Sequence, residues 1–120
     1  MAASGSSMHT RVEAMAWGAV VRVMVEKITE RDAGIIEAEA AEAGPMNRWR
    51  IAVDCSQVTF LPSVGVGMLV RLHQRCKQGG GKMAVFGLSE QLTKLIKLTG
   101  VDRIIPLAAD EAGAARALGA

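Results

Sequence analysis

The sequence predicts an α/β domain in which about four helices pack against a mixed sheet of about five strands. Short apolar runs rich in β-branched residues alternate with longer segments that have the apolar spacing of amphipathic helices. This alternation predicts parallel strand pairs with helices covering the sheet. Two strand patterns follow one another directly near the start of the chain and predict an antiparallel pair, which makes the sheet mixed.

The first part of the chain has a polar tail and a hairpin. Residues 1–7 are small and polar, so we expect a disordered tail followed by a single domain over residues 8–120. Residues 9–16 and 19–25 are predicted to be neighbouring antiparallel strands, the first at the edge of the sheet. The turn between them is expected at Trp17-Gly18, because glycine accepts a positive φ.

The remaining elements follow from capping residues and breakers. Thr29 is the predicted N-cap of the first helix, which ends near Ala43 because Gly44-Pro45 cannot continue it. The later predictions are, in order, a strand at 50–54, a helix at 64–78, a strand at 82–86, a helix between Ser89 and Gly100, a short strand at 103–107 and a terminal helix capped by Asp110.

Composition excludes several classes of function. The net charge of +2 and the 3% aromatic content are too low to argue for a nucleic-acid-binding protein. No apolar run reaches the roughly 18–20 residues that a membrane-spanning helix needs. Cys55 and Cys76 are expected to be reduced, buried thiols of a cytoplasmic protein, since no disulfide framework or secretion signal is present.

The candidate functional site lies where a buried strand leads into a helix, within Arg50 to Gln78. The strand ends at Asp54, and the helix follows a serine in the segment Leu61-Pro62-Ser63. Gly65 and Gly67 in the first turns each cost about 1 kcal/mol relative to alanine. We therefore expect another group to pack closely against the backbone there.

The stretches IAVDCSQVTFLPSVGVGMLVRLHQRCKQGGGKMAVFGLS and EQLTKLIKLTGVDRIIPL extend this pattern to Pro106. Over them the chain resembles the STAS domain of bacterial anti-sigma-factor antagonists. That family has an apolar strand ending in Asp, an Asp-Ser-Ser-Gly segment opening a helix, and a later helix ending in Leu-Thr-Gly. Here Pro62 stands in place of the family's Asp, and Val64 in place of its second Ser.

The resemblance implies a regulatory binding protein without a cofactor of its own. Ser63 matches the serine that a partner anti-sigma kinase phosphorylates, and Asp54 matches the aspartate at the strand end. Gly65 and Gly67 match the two helix glycines. A phosphatase of the same pathway would restore the unmodified serine.

Phosphorylation of Ser63 could act as a switch. It would add a charge of about −1.5 to −2, which a helix N-terminus tolerates but an apolar or acidic partner surface does not. The expected partner-binding residues are Leu61, Pro62, Ser63, Val64, Gly65, Val66 and Thr29, with Asp54 and Gly67 in support. In a simpler alternative, Ser63 only caps the helix, and Asp54 only accepts hydrogen bonds from nearby amides.

Two other functions stay open from the sequence. The chain could be a STAS accessory or scaffold subunit that is never phosphorylated, for example in a lipid-transport ABC system. It could also be a small enzyme or nucleotide-binding protein, but its glycine motifs are incomplete. Val70 replaces the third glycine of a dinucleotide fingerprint, and Met83 follows Lys82 where a phosphate-binding loop has Ser or Thr. His9 and His73 have no partner ligands at metal spacing, so we expect no metal site.

Overall fold

The computed structural model describes residues 5–120, with side chains from Ser7 onward, and contains a six-stranded mixed sheet and four helices in that range. This architecture confirms the predicted fold class. The strands are β1 (Gly5–Ser6), β2 (Thr10–Met15), β3 (Gly18–Val23), β4 (Arg50–Asp54), β5 (Lys82–Phe86) and β6 (Leu107–Ala108). The helices are α1 (Glu30–Ala43), α2 (Ser63–Gln78), α3 (Glu90–Thr99) and α4 (Glu111–Ala117).

The order of strands across the sheet is the order in the chain. β1, β2 and β3 pair antiparallel, whereas β3, β4, β5 and β6 pair parallel. α1, α2 and α3 each connect two parallel strands, so each runs back antiparallel to the strands. These three helices begin at one end of the domain, which we call the apical end, where β3, β4 and β5 finish. They finish at the opposite, basal end, where those strands begin.

The two faces of the sheet bury different residues because side chains alternate along each strand. The face covered by α1, α2 and α3 is lined by Val21, Val23, Ile51, Val53, Met83 and Val85. The face covered by α4 is lined by Val20, Ala52, Ala84 and Phe86, which contact Ala114 and Leu118. Cys55 and Cys76 are both buried as free thiols. None of the described helices has the length and apolar character needed to span a bilayer.

Three predictions at the ends of elements need correction. Gly5–Ser6 pair with β2, so the expected disordered tail is wrong for these residues, and β2 is not an edge strand. Residues 1–4 lie outside the described part of the chain. The short final strand predicted at 103–107 is present but begins later, because Val101–Arg103 form a 3-10 turn after Gly100 and strand pairing begins only at Leu107.

The glycine run that resembles a phosphate loop packs instead around a tryptophan. Side chains added at Gly44, Gly79 or Gly81 would overlap Trp49, so these three positions form a cradle for it. Trp49 has a φ of 54°, a left-handed conformation that is rare for a bulky residue. The run therefore joins the end of α2 to the start of β5 at the basal end.

Candidate functional site

The loop that leads into α2 (residues 55–62) is held against the loop that leads into α1. The amides of Thr59 and Phe60 donate to the carbonyl oxygen of Glu26 at 2.8 and 3.1 Å, and the amide of Ile28 donates to that of Phe60 at 3.3 Å. The two loops thus lie side by side at the apical end. This pairing brings the start of α1 and the start of α2 onto one surface.

Leu61 belongs to the core rather than to this surface. It is 3% exposed, and its Cδ1 atom lies 2.6 Å from the position of a Cβ atom added at Gly65. The close approach predicted at Gly65 is therefore real, and Leu61 is the group that approaches. Leu61 and Gly65, both predicted to bind the partner, are buried in the isolated domain, because the loop turns inward above the glycine.

Gly67 is different. An added Cβ there would meet only the Arg71 Nη1 atom, at 3.4 Å, which is an ordinary contact. The close packing that the sequence predicts at this glycine is absent among the described residues. Gly67 leaves the surface of α2 open one turn beyond Ser63.

Ser63 is the first residue of α2 and its side chain is exposed. The N-cap is Pro62, which has an extended conformation and no side-chain acceptor, and its carbonyl oxygen accepts from the amides of Gly65 and Val66 at 2.9 and 3.1 Å. The alternative in which Ser63 only caps the helix is therefore wrong. Within residues 5–120 the Ser63 hydroxyl makes no hydrogen bond, and the amides of Ser63 and Val64 have no acceptor.

Two large apolar side chains close to Ser63 in the chain are exposed. Phe60 is 56% exposed and Val64 is 38% exposed, although both are residues that normally favour burial. We call the following set the Ser63 surface: Thr29, Phe60, Pro62, Ser63, Val64 and Val66. The sequence did not identify Phe60, because nothing in Phe60-Leu61 indicates which of the two side chains points inward.

Thr29 borders the surface and caps α1, as predicted. Its hydroxyl accepts from the amide of Asp32 at 3.2 Å, while Asp32 Oδ2 accepts from the amide and the hydroxyl of Thr29 at 3.0 and 2.9 Å. These bonds from Thr29, together with His9 near Asp32 Oδ1, lower the pKa of the Asp32 carboxyl. Because the Thr29 hydroxyl is already hydrogen-bonded to Asp32, a partner could contact only the other exposed atoms of Thr29.

Asp54 is buried, and its two carboxylate oxygens have different partners. Its Oδ1 accepts from the amide of Ser56 at 2.9 Å, and its Oδ2 pairs with Arg22 Nη1 at 3.0 Å. Arg22 also pairs with Glu13 at 2.7 Å and Glu111 at 3.0 Å, and these carboxylates, Glu13 foremost, raise the pKa of its guanidinium. The sequence did not identify Arg22, whose only signal was a charge inside an apolar strand pattern.

The arrangement offers an accessible hydroxyl at Ser63. Within the described range, no histidine or carboxylate forms a hydrogen bond with Ser63. An activated serine nucleophile requires such a base. What the surface provides is a group that can receive a modification, at the positive end of a helix, among exposed apolar side chains.

Comparison with known proteins gives a consistent set of similarities. The family model described as "STAS domain" matches residues 18–114. The chain is 30% identical over 57 residues to an anti-sigma-B factor antagonist of Listeria monocytogenes, covering 48% of this chain and 50% of that protein. It is 34% identical over 56 residues to the anti-sigma-B factor antagonist of Bacillus subtilis, covering 47% and 51%. The chain spans about half the length of the curated relatives it matches.

Solved structures share the fold at low sequence identity. An anti-sigma-factor antagonist (STAS) domain protein from Planctomyces limnophilus superposes with a TM-score of 0.81 at 21% identity, over 92% of this chain and 98% of the other. The phosphorylated form of the Bacillus cell fate determinant SpoIIAA superposes with a TM-score of 0.64 at 17% identity, over 90% and 98%. At these identities the likeness establishes the architecture.

Proposed function

This chain belongs to the STAS domain family, and we propose that it is a non-catalytic, cytoplasmic anti-sigma-factor antagonist that binds an anti-sigma serine kinase through the Ser63 surface. The observation that carries the proposal is the exposed, unbonded hydroxyl of Ser63 at the start of α2. The similarity to anti-sigma-B factor antagonists supports the choice of partner.

Binding would rest on the apolar side chains around Ser63. Phe60 and Val64 are exposed beside the half-buried Pro62, and covering them with a partner removes apolar area from water. The loop that carries them is already fixed by its bonds to Glu26, so little conformational entropy is lost on docking. Phe60 is the largest of these side chains and the expected anchor.

Phosphorylation would reverse this binding without unfolding the domain. The kinase would transfer the γ-phosphoryl group of ATP to the Ser63 oxygen, and the hydroxyl proton would leave to a base of the kinase. The added charge of about −1.5 to −2 would lie in the apolar contact and oppose it. In the isolated domain, the free amides of Ser63 and Val64 would donate hydrogen bonds to the phosphate and stabilise the same charge.

Pro62 changes how the kinase would recognise the serine. The family pattern has a carboxylate here, whereas the proline offers neither a charge nor a side-chain hydrogen bond. Recognition would therefore depend on the shape of the loop and on Phe60 and Val64. Pro62 also favours the alternative of an accessory subunit that is never phosphorylated.

The test is to recover the binding kinase by pulldown, incubate it with ATP and this protein, and measure intact mass. We expect wild-type protein to gain one phosphate and Ser63→Ala to gain none. Ser63→Asp and Phe60→Ser should each weaken kinase binding by at least about 10-fold, since each disrupts a desolvated contact. Gln57→Asp is the matched control, because Gln57 is exposed in the loop that leads into α2 but lies outside the Ser63 surface.

Phosphate on another residue, or unchanged binding by Ser63→Asp, would overturn the switch. A partner that is a transporter ATPase and leaves the mass unchanged would instead establish the accessory-subunit alternative. Ser63→Ala should unfold at the same urea concentration as wild type, because Ser63 does not cap α2.

A further inference from the structure

We propose that the basal end of the domain binds an anionic membrane surface, so that the Ser63 surface at the apical end remains open to its partner. The inference rests on the position of charges and apolar side chains that the Ser63 surface does not use. It concerns contact with the lipid headgroups and their boundary with the acyl chains, without a membrane-spanning segment.

The topology brings several turns together at the basal end. The turn before β4 and the turn before β5 meet there, since the Lys82 amide donates to the Trp49 carbonyl oxygen at 2.9 Å and Arg50 is paired with Lys82 in register. The Arg48 guanidinium donates to the Ala16 carbonyl oxygen at 2.8 Å, which adds the β2–β3 hairpin. The helices α1, α2 and α3 all finish at this end.

Positive charge is concentrated on these turns. Residues 43–89 contain a single acidic residue, Asp54, which lies at the apical end and pairs with Arg22. The basal cations are Arg48, Arg50, Arg75, Lys77, Lys82, Lys97 and Arg103. None of these seven forms an ion pair with another residue of the described range. The carboxylates on the same turns are Glu42 and Asp102.

Helix stability explains only part of this pattern. Arg75 and Lys77 in the last turn of α2, and Lys97 in that of α3, complement the negative ends of those helices. Arg48 and Lys82 lie outside helices, so this explanation does not cover them. The positive field reaches inward, because Lys77 and Lys82 add to burial in lowering the pKa of His73.

Three apolar side chains protrude among the cations. Leu98 at the end of α3 is 85% exposed, Met46 in the turn after α1 is 69% exposed, and Ile104 is 53% exposed. Ile104 ends the short 3-10 turn that directly follows α3 and precedes β6. Protruding apolar residues flanked by Lys and Arg are what a protein needs to sit on an anionic bilayer.

The same features fit the other polyanions less well. A single-stranded nucleic acid requires open aromatic rings for stacking, but the Trp49 ring is covered by Gly44 and Gly79 and by Arg75, whose guanidinium lies 5.9 Å from the ring centre. An acidic motif is recognised by a compact cluster of arginines. The basal cations are instead spread over several turns and include lysines, which suits a broad, flat surface.

The experiment is co-sedimentation of the full chain with vesicles of phosphatidylcholine alone and of an equimolar mixture with phosphatidylglycerol. We expect binding only to the mixed vesicles, and its loss at about 0.5 M salt. Lys77→Gln combined with Lys82→Gln should weaken binding roughly 25-fold, since each cation near an anionic surface contributes about 5-fold. Leu98→Ser combined with Ile104→Ser should weaken it roughly 10-fold.

Arg11→Gln combined with Arg31→Gln is the matched control. These two arginines are exposed, without ion pairs in the described range, and distant from the basal turns, so vesicle binding should stay within about 2-fold of wild type. Equal loss in this control, no binding to mixed vesicles at low salt, or binding only to single-stranded DNA or polyglutamate would each overturn the proposal. Phe60→Ser should bind vesicles as wild type does, so a failure of membrane binding can be distinguished from a failure of kinase binding at the Ser63 surface.

Discussion

Arg22 joins four elements through three carboxylates at the scale of single residues. From β3 it reaches Glu13 on β2, Asp54 on β4 and Glu111 at the start of α4. Asp54 in turn accepts from the Ser56 amide in the loop that leads into α2. Arg22 therefore connects the position of that loop to the rest of the sheet, although it lies outside the Ser63 surface.

Arg22→Met should lower the free energy of unfolding by about 3 kcal/mol, because it leaves Asp54 buried without its cation. Urea denaturation followed by circular dichroism would measure this. Glu111→Gln is the control: the Glu111 side chain is 41% exposed, so the change should cost less than about 1 kcal/mol. Equal losses for both variants would show that the buried pair with Asp54 is not the stabilising contact.

His73 makes stability depend on pH. It is buried, its Nδ1 atom has no hydrogen-bond partner in the described range, and burial, aided by Lys77 and Lys82, lowers its pKa below 6.5. Above about pH 6.5 both the folded and the unfolded chain hold the neutral ring, so stability is complete there. Below it the unfolded chain takes up the proton first, and stability falls.

The free energy of unfolding should therefore be lower at about pH 5 than at about pH 7.5, and His73→Gln should reduce that difference. Urea titrations of both proteins at the two pH values test this. A pH dependence unchanged by His73→Gln would assign it to other groups, such as Asp32, whose carboxyl pKa is lowered by its bonds from Thr29.

At the scale of elements, the start of α2 contains two glycines, and the structure requires a glycine at only one of the two positions. Gly65 is required by Leu61, which fills the space above it, whereas Gly67 has room for a side chain. Glycine at either position destabilises the helix by about 1 kcal/mol relative to alanine. At Gly65 core packing offsets this loss of stability, but no described contact offsets it at Gly67.

Gly67→Ala should therefore raise the free energy of unfolding by up to about 1 kcal/mol. Gly65→Ala should lower it by roughly 1 kcal/mol or more, because the new methyl group displaces buried Leu61. Thermal and urea unfolding of the two variants would measure the contrast. If Gly65→Ala proved as stable as Gly67→Ala, Leu61 would be free to move and would not constrain this turn.

For the molecule as a whole, Trp49 ties the helices to the sheet at the basal end. It occupies the space left by glycines at the ends of α1 and α2 and before β5. The consecutive glycines Gly79, Gly80 and Gly81 are needed for different reasons. Gly79 leaves space for the Trp49 ring, Gly80 has a φ of 87°, and Gly81 leaves space for the Trp49 backbone carbonyl.

Gly81→Ala should destabilise the protein by about 2–3 kcal/mol, since its methyl group would overlap the Trp49 carbonyl group. Gly80→Ala should cost only about 1 kcal/mol, because it meets no atom and suffers only from the left-handed conformation. Urea unfolding monitored by tryptophan fluorescence compares the two. Equal costs would mean that the turn moves away from Trp49 without penalty.

Much of the architecture was predictable, because its signals are local. The caps at Thr29 and Ser89, the C-terminal Gly100 and the run Ile51–Val53 each depend on neighbours in the chain. The start of the final strand was predicted too early, because Ile105 is buried in the core although the chain before Leu107 does not pair with β5. The pairing of Gly5–Ser6 with β2 was not predicted, because these two small residues have no strand pattern in the sequence.

For the candidate site, the sequence by itself determined that a serine opens a helix after a buried strand, and that this segment resembles a known switch. Only the tertiary structure decided which side chains form the surface. Leu61 turns inward and Phe60 outward because the loop pairs with Glu26 and Ile28, more than 30 residues earlier. The partners of Arg22, the cradle of Trp49 and the charge at the basal end likewise arise from contacts between distant segments, which no local pattern encodes.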